Sequence, residues 1–267
     1  MNWNRILVLT LFDLRQSVFR VKGLVFLLPY CIFWYWILKI LYQSGNEALT
    51  SVQSIAFLSW LYDHDVARTL LIDHPPTLSL FYLVMLATVP AFSMLAGHNQ
   101  LSGAAGKNLF RCYLTRTTRL EIFIGRFLGF YILLGIASLI TNAITMEISL
   151  LNDQYTLAET LDYAIRIQVC ILMYILPFAA FVYAITALMS SAISSLLMCL
   201  VAYVFLLVAG NMIQPETGIQ VSLVPAVIKK FLLGLHPGDL WYATTGVILY
   251  TTIYLGLGWI IFRRRIL

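Results

Sequence analysis

The sequence predicts an all-α integral membrane protein. It has six transmembrane helices, an N-terminal interfacial amphipathic helix, and a re-entrant or interfacial hairpin before the last span. Three observations predict it: the composition, the length of the apolar runs, and where the basic residues fall. Of 267 residues, 61% are hydrophobic and 11% charged, with a mean hydropathy of +0.86. A soluble domain stands near ~45–50% apolar and ~25% charged. A chain this apolar needs lipid as solvent. Backbone in lipid must satisfy its own hydrogen bonds, which leaves helices or a closed barrel. A barrel would show short stretches of alternating polarity. The apolar runs here are instead about 20 residues long, enough for a helix to cross a ~30 Å core.

The elements follow in order, as one transmembrane domain over 1–267. Within 1–22, Trp3, Ile6, Leu7, Leu11, Leu14 and Val18 share a helical face. Asn2, Arg5, Asp13, Gln16 and Arg20 lie largely away from it. That pattern predicts a helix lying on the membrane surface. The first span covers about 23–42 and carries Tyr30, Phe33, Trp34, Tyr35 and Trp36. A loop over 44–77, with a short amphipathic stretch at 55–72, leads to the second span at about 78–97. A basic loop over 98–121 holds Lys107, Arg111, Arg116 and Arg119. The third span covers about 122–147, and a short acidic loop with Asp153, Glu159 and Asp162 follows. The fourth span is about 165–189. Ser190, Ser191, Ser194 and Ser195 mark a tight turn into the fifth, about 192–212. Residues 214–238 hold Pro215, Pro225 and Pro237, and their apolar stretch is too short and broken to span. The sixth span, about 240–262, ends at Arg263, Arg264 and Arg265.

The net charge is +5. The basic residues sit in short loops beside apolar runs, where they set topology rather than bind nucleic acid. The N-terminal segment, the 98–121 loop and the arginine triplet favour both termini inside. Lys229 and Lys230 in the last outer loop dissent. Cys31, Cys112, Cys170 and Cys199 show neither C-x-x-C spacing nor a disulfide framework. The first 22 residues are mixed and charged, unlike a cleavable signal peptide.

Motifs for chemistry are sparse. There is no G-x-x-x-x-G-K-[ST], no H-E-x-x-H and no G-x-S-x-G. Asp63, His64 and Asp65 with His74 read as a solvated loop rather than a metal site. Glu147 and Arg166 stand at span ends, and Lys39 can snorkel. No chain of buried carboxylates suggests a proton relay. Gly125-x-x-x-Gly129, with Gly135 beyond, is spaced for close helix packing.

The informative stretch is residues 100–129, QLSGAAGKNLFRCYLTRTTRLEIFIGRFLG. It resembles the cytosolic signature of the ABC-2 type transporter permeases. Gly106 matches the signature's first glycine. Leu114 with Thr115, Arg116, Thr117, Thr118 and Arg119 matches its helix end and turn. Ile124-Gly125-Arg126-Phe127-Leu128-Gly129 matches the aliphatic-Gly-Lys entry into the next span, with Arg for Lys. The ending, His236-Pro237-Gly238, one span and then the arginine triplet, is similar to many members.

The resemblance implies a permease subunit of an ATP-binding cassette exporter in a bacterial inner membrane, with N and C termini inside. It implies a second permease copy and a separate ATPase subunit, which would carry the ATP and magnesium; no cofactor or metal is expected in this chain. It also implies that the 98–121 loop and the N-terminal helix couple to the ATPase, through Gly106, Leu109, Phe110, Tyr113, Leu114, Arg116 and Arg119. Gly125, Arg126 and Gly129 would serve span entry and packing. A translocation path between two copies would use Thr88, Ser93, Tyr203 and Asn211. The competing readings are an ATP-independent membrane transporter or structural membrane partner and, less favoured, a membrane-embedded enzyme. No nucleophile–base or metal constellation is visible for the last. The substrate is not legible, although the weakly charged path mildly favours amphipathic cargo.

Overall fold

The computed structural model describes residues 3–19, 21–49, 70–102, 117–153, 155–217, 224–233 and 237–264. The described residues are helical, with no strand among them. The elements are α1 (Trp3–Phe19), α2 (Val21–Leu49), α3 (Pro76–Gly97), α4 (Arg119–Asn152), α5 (Leu157–Leu188), α6 (Ala192–Thr217), α7 (Ile228–Leu233, entered through a 3₁₀ turn at Pro225–Val227) and α8 (Pro237–Arg264). Six helices are long and apolar enough to cross a membrane: α2, α3, α4, α5, α6 and α8. The chain is a multi-pass, all-α membrane protein.

Helices α4 and α5 outrun the apolar spans the sequence predicts. Their 34 and 32 residues correspond to about 50 Å at ~1.5 Å per residue, against a ~30 Å hydrocarbon core. Local chemistry explains the extra turns. The Thr118 N–H donates to Glu121 Oε2 at 3.0 Å, and the Glu121 N–H donates to Thr118 Oγ1 at 3.3 Å. This reciprocal capping box starts α4. Thr156 and Glu159 start α5 in the same way, at 3.0 and 3.4 Å. Glu159 and Asp162, expected in a loop, therefore stand in the first turns of α5, where Asp162 pairs with Arg166 at 2.8 Å. The serine-rich turn ends where expected, with the helix starting at Ala192. Ser191 Oγ accepts from the Ser194 N–H at 3.2 Å and caps the first turn of α6.

The chain divides into two compact units. The first comprises Met1–Leu27, Val89–Leu134 and Met173–Leu267. Its core includes an aromatic cluster in which the Phe123 ring meets Tyr183, Trp259 and Phe262 at 4.9, 5.5 and 5.7 Å. Small residues allow close helix contacts here. A β-carbon on Gly258 would stand 3.0 Å from the Ala184 Cα, and one on Gly97 would strike Val182 and Phe130.

The second unit comprises Leu28–Thr88 and Gly135–Leu172. Its key residue is Asp153, directly after α4. Asp153 Oδ1 accepts from Thr77 Oγ1 at 3.0 Å, and Oδ2 accepts from Ser149 Oγ at 2.6 Å. The carboxylate thus closes the end of α4 and stands at the positive N-terminus of α3. Burial pushes its pKa up, while the bonds from Ser149 and Thr77 pull it back. Nearby, His74 stacks on Tyr163 at 4.3 Å, and burial lowers its pKa. Tyr163 Oη and Ser79 Oγ share a hydrogen bond of 2.9 Å. Asp63, His64, Asp65 and most of the 55–72 stretch lie outside the described residues.

Candidate functional site

The site begins with two missing side chains. Gly125 and Gly129 face α1, not another spanning helix. A β-carbon on Gly125 would stand 3.0 Å from the Leu9 Cβ and 3.2 Å from the Ile6 carbonyl oxygen. One on Gly129 would stand 3.3 Å from both the Asp13 Cβ and the Thr10 carbonyl oxygen. The Gly-x-x-x-Gly spacing puts both glycines on one face of α4, and α1 lies against that face. Thr10 fastens it. Its hydroxyl donates to the Ile6 carbonyl at 2.9 Å and to the Gly125 carbonyl at 3.0 Å, sharing one proton between them.

Helix α1 therefore has two working faces. Ile6, Thr10 and Asp13, at i, i+4 and i+7, are buried in the unit. Trp3, Leu7, Val8, Leu11, Phe12 and Val18 are exposed, with Arg5 and Arg15 among them. This corrects the sequence reading in two places. Ile6 leaves the outward apolar face, and Asp13, assigned to the polar side, is inside protein. The outward set keeps the amphipathic character of a surface helix.

Asp13 is 8% exposed, Arg126 8% and Gln100 7%. Arg126 Nη1 donates to the Gln100 carbonyl oxygen at 2.6 Å. Burial pushes the Asp13 pKa up to about 6, while the Arg126 charge and a hydrogen bond from the Gln100 side chain pull it down. Desolvation is the largest of these influences, and Asp13 Oδ2 has no hydrogen-bond partner. Tyr183 is fully buried nearby in the same unit, and its hydroxyl donates to the Phe123 carbonyl at 2.7 Å.

Gln100 stands near the start of the basic loop and Arg126 just past its end; Asp13 of α1 is hydrogen-bonded by the Gln100 side chain and feels the Arg126 charge. At the same end of α4, Arg119 Nη1 donates to the Arg263 carbonyl at 2.8 Å. A guanidinium there satisfies an unpaired carbonyl in the last turn of α8 and complements its dipole. The surface helix, both flanks of the loop and the end of α8 are thus joined by buried or charge-assisted bonds.

The other expected residues fall as follows. Gly106, Leu109, Phe110, Tyr113, Leu114 and Arg116 lie outside the described residues. Thr88 Oγ1 donates back to the Val84 carbonyl at 2.9 Å. Ser93 is fully buried, and its hydroxyl has no hydrogen-bond partner. Tyr203 is half-buried, its ring 6.2 Å from Phe178. Asn211 lies in α6, with its side chain outside the described residues. Sequence reasoning did not single out Thr10, Asp13 or Gln100. The signal was the Ile6, Thr10, Asp13 stripe, which has the helical spacing of a packed face.

No protein-family model matches the chain, and no curated protein matches it at a significant level.

Proposed function

We propose that this membrane protein is the permease subunit of an ABC-2 type exporter. In this reading it pairs with a second copy, keeps both termini in the cytoplasm, and is driven by separate ATP-binding subunits. The observation that supports it most is the fastening of α1 to α4 through Thr10 and Gly125, beside the bond from Arg126 to the Gln100 carbonyl. A motor that pushes on a loop needs that loop tied to something stiff. Here the flanks of residues 103–116 are tied to α1 and to a 34-residue helix. The arginines of α1 (Arg5 and Arg15), of the start of α4 (Arg119) and of the end of α8 (Arg263 and Arg264) accord with the positive-inside rule.

The experiment is reconstitution of the full chain in vesicles with and without a P-loop ATPase subunit that co-purifies with it, followed by ATP hydrolysis. The reading expects the ATPase to bind the vesicles only when the chain is present. It also expects hydrolysis to rise on binding, and Leu114→Glu to abolish both effects. An ATPase that neither binds nor responds to the chain contradicts the reading.

A further inference from the structure

Gln100 bridges two buried groups of opposite charge. Its backbone carbonyl accepts from Arg126 Nη1 at 2.6 Å, and its side chain hydrogen-bonds Asp13. All three residues are closed to solvent. An acid and a guanidinium in one low-dielectric space attract each other strongly. Even so, the carboxylate oxygen Asp13 Oδ2 has no hydrogen-bond partner. That oxygen lies over Gly129, 3.4 Å from where a β-carbon would stand. Gly129 is one helical turn beyond Arg126, on the same face of α4.

This arrangement suits a neutral Asp13 better than an ionised one. A buried carboxylate needs donors on both oxygens, and one oxygen here has none. Arg126 is the group able to supply them. A guanidinium carries five N–H donors in a fork that matches a carboxylate, and such pairs are bidentate. In the structure Nη1 serves the Gln100 carbonyl instead. Arg126 thus has two acceptors to choose between, a neutral carbonyl at the start of the basic loop and a carboxyl group on α1. The charge on that carboxyl decides which is the stronger.

Other titratable groups surround the cluster. Tyr183 of α5 feels the charges of both Asp13 and Arg126, and its hydroxyl is committed to the Phe123 carbonyl at 2.7 Å. Arg5 and Arg15 of α1 point to the exposed side. His98 lies two residues before Gln100, with Nδ1 2.7 Å from the Leu95 carbonyl oxygen. The segment holding Gln100 is a tight turn at the end of α3. The Gln100 N–H donates to the Gly97 carbonyl at 3.0 Å, and Ser102 Oγ donates to the His98 carbonyl at 2.7 Å. Leu101 and Ser102 are fully buried. A shift of Gln100 therefore moves the start of the basic loop.

We infer that Asp13, Gln100 and Arg126 form a proton-operated relay between α1 and the basic loop. With Asp13 neutral, Gln100 bridges it to Arg126 and the turn is held. When Asp13 ionises, it pairs directly with Arg126, and Gln100 is released together with the turn. Burial sets the working range, since it raises the Asp13 pKa to about 6. The inference does not depend on the transport reading.

The test is amide hydrogen exchange of the full chain in phosphatidylcholine nanodiscs from about pH 5 to about pH 8, a range that brackets the titration. Protection factors are corrected for the intrinsic pH dependence of exchange. Protection of residues 98–102 is expected to fall about ten-fold as pH rises, the loss of one charge-assisted hydrogen bond. Asp13→Asn, which cannot ionise, keeps the protected level throughout. His98→Gln keeps the fall, which separates the relay from titration of that ring. Gln100→Ala retains the carbonyl and removes the bridging side chain. Direct pairing with Arg126 then lowers the midpoint of α1 protection, whereas loss of a hydrogen bond alone raises it. Four results each overturn the inference: protection of 98–102 that does not change with pH, a fall that persists in Asp13→Asn, a fall that vanishes in His98→Gln, or a midpoint that rises in Gln100→Ala.

Discussion

Gly129 of α4 lies against Asp13 of α1 so closely that a β-carbon on the glycine would stand 3.3 Å from the Asp13 β-carbon. The contact brings a carboxylate into the same buried space as Arg126 and Gln100. In the function proposed above, this contact makes α1 part of what the basic loop would move.

The first prediction concerns that approach. Gly129→Ala asks neighbours to yield by a few tenths of an ångström, which its gain in helix propensity of about 1 kcal/mol offsets. Its effect on stability is near zero. Gly129→Leu cannot be accommodated and costs roughly 1–3 kcal/mol. The check is thermal unfolding in detergent, with hydrogen exchange of α1: the leucine variant frees α1 amides while those of α5 stay protected.

The second concerns pH. The Asp13 pKa is raised to about 6 in the folded chain from an ordinary 3.8. The folded state therefore holds the proton more tightly than the unfolded one. This contribution to stability is fully present below about pH 4 and is lost as pH rises through about 6. It amounts to roughly 2–3 kcal/mol. Protection of α1 amides is expected to fall across that window and level off above it. Asp13→Asn, always neutral, removes the slope attributable to this group. An unchanged slope in Asp13→Asn contradicts the assignment.

The third concerns Asp153. Asp153→Ala leaves the Thr77 and Ser149 hydroxyls without their acceptor and is expected to cost about 1–3 kcal/mol. Asp153→Asn recovers part of the loss because its amide oxygen still accepts one bond. Unfolding temperatures of the two variants against the parent chain provide the measurement.

The six spans were legible because each helix carries an apolar run long enough to cross lipid, and no other described helix does. The ends of α4 and α5 were not read from hydropathy, because the capping residues there are polar. Thr118-x-x-Glu121 and Thr156-x-x-Glu159 extend both helices past their apolar windows, and that signature was present in the sequence. Gly125 and Gly129 were legible as a close-packing surface. Their partner was not, since the identity of a facing helix is a property of the whole fold. Asp13 was misassigned for a related reason. An amphipathic pattern separates polar from apolar, but it cannot tell water from a buried arginine.

The fourth prediction follows from Arg119. Its bond to the Arg263 carbonyl is exposed, so Arg119→Gln is expected to cost no more than about 1 kcal/mol of stability. If the bond ties the loop to α8, hydrogen exchange in the last turn of α8 accelerates in this variant while protection of α1 is unchanged.

The central claim is that a separate ATPase grips the basic loop. It is tested most directly by placing a photo-cross-linking amino acid at Leu109, Phe110 or Tyr113 and irradiating membranes that contain the full chain. The expected product is an adduct with a P-loop ATPase subunit, lost when Leu114→Glu is combined with the cross-linker. No ATPase adduct from any of the three positions, together with undiminished activity of the chain in membranes lacking that ATPase, would contradict the claim.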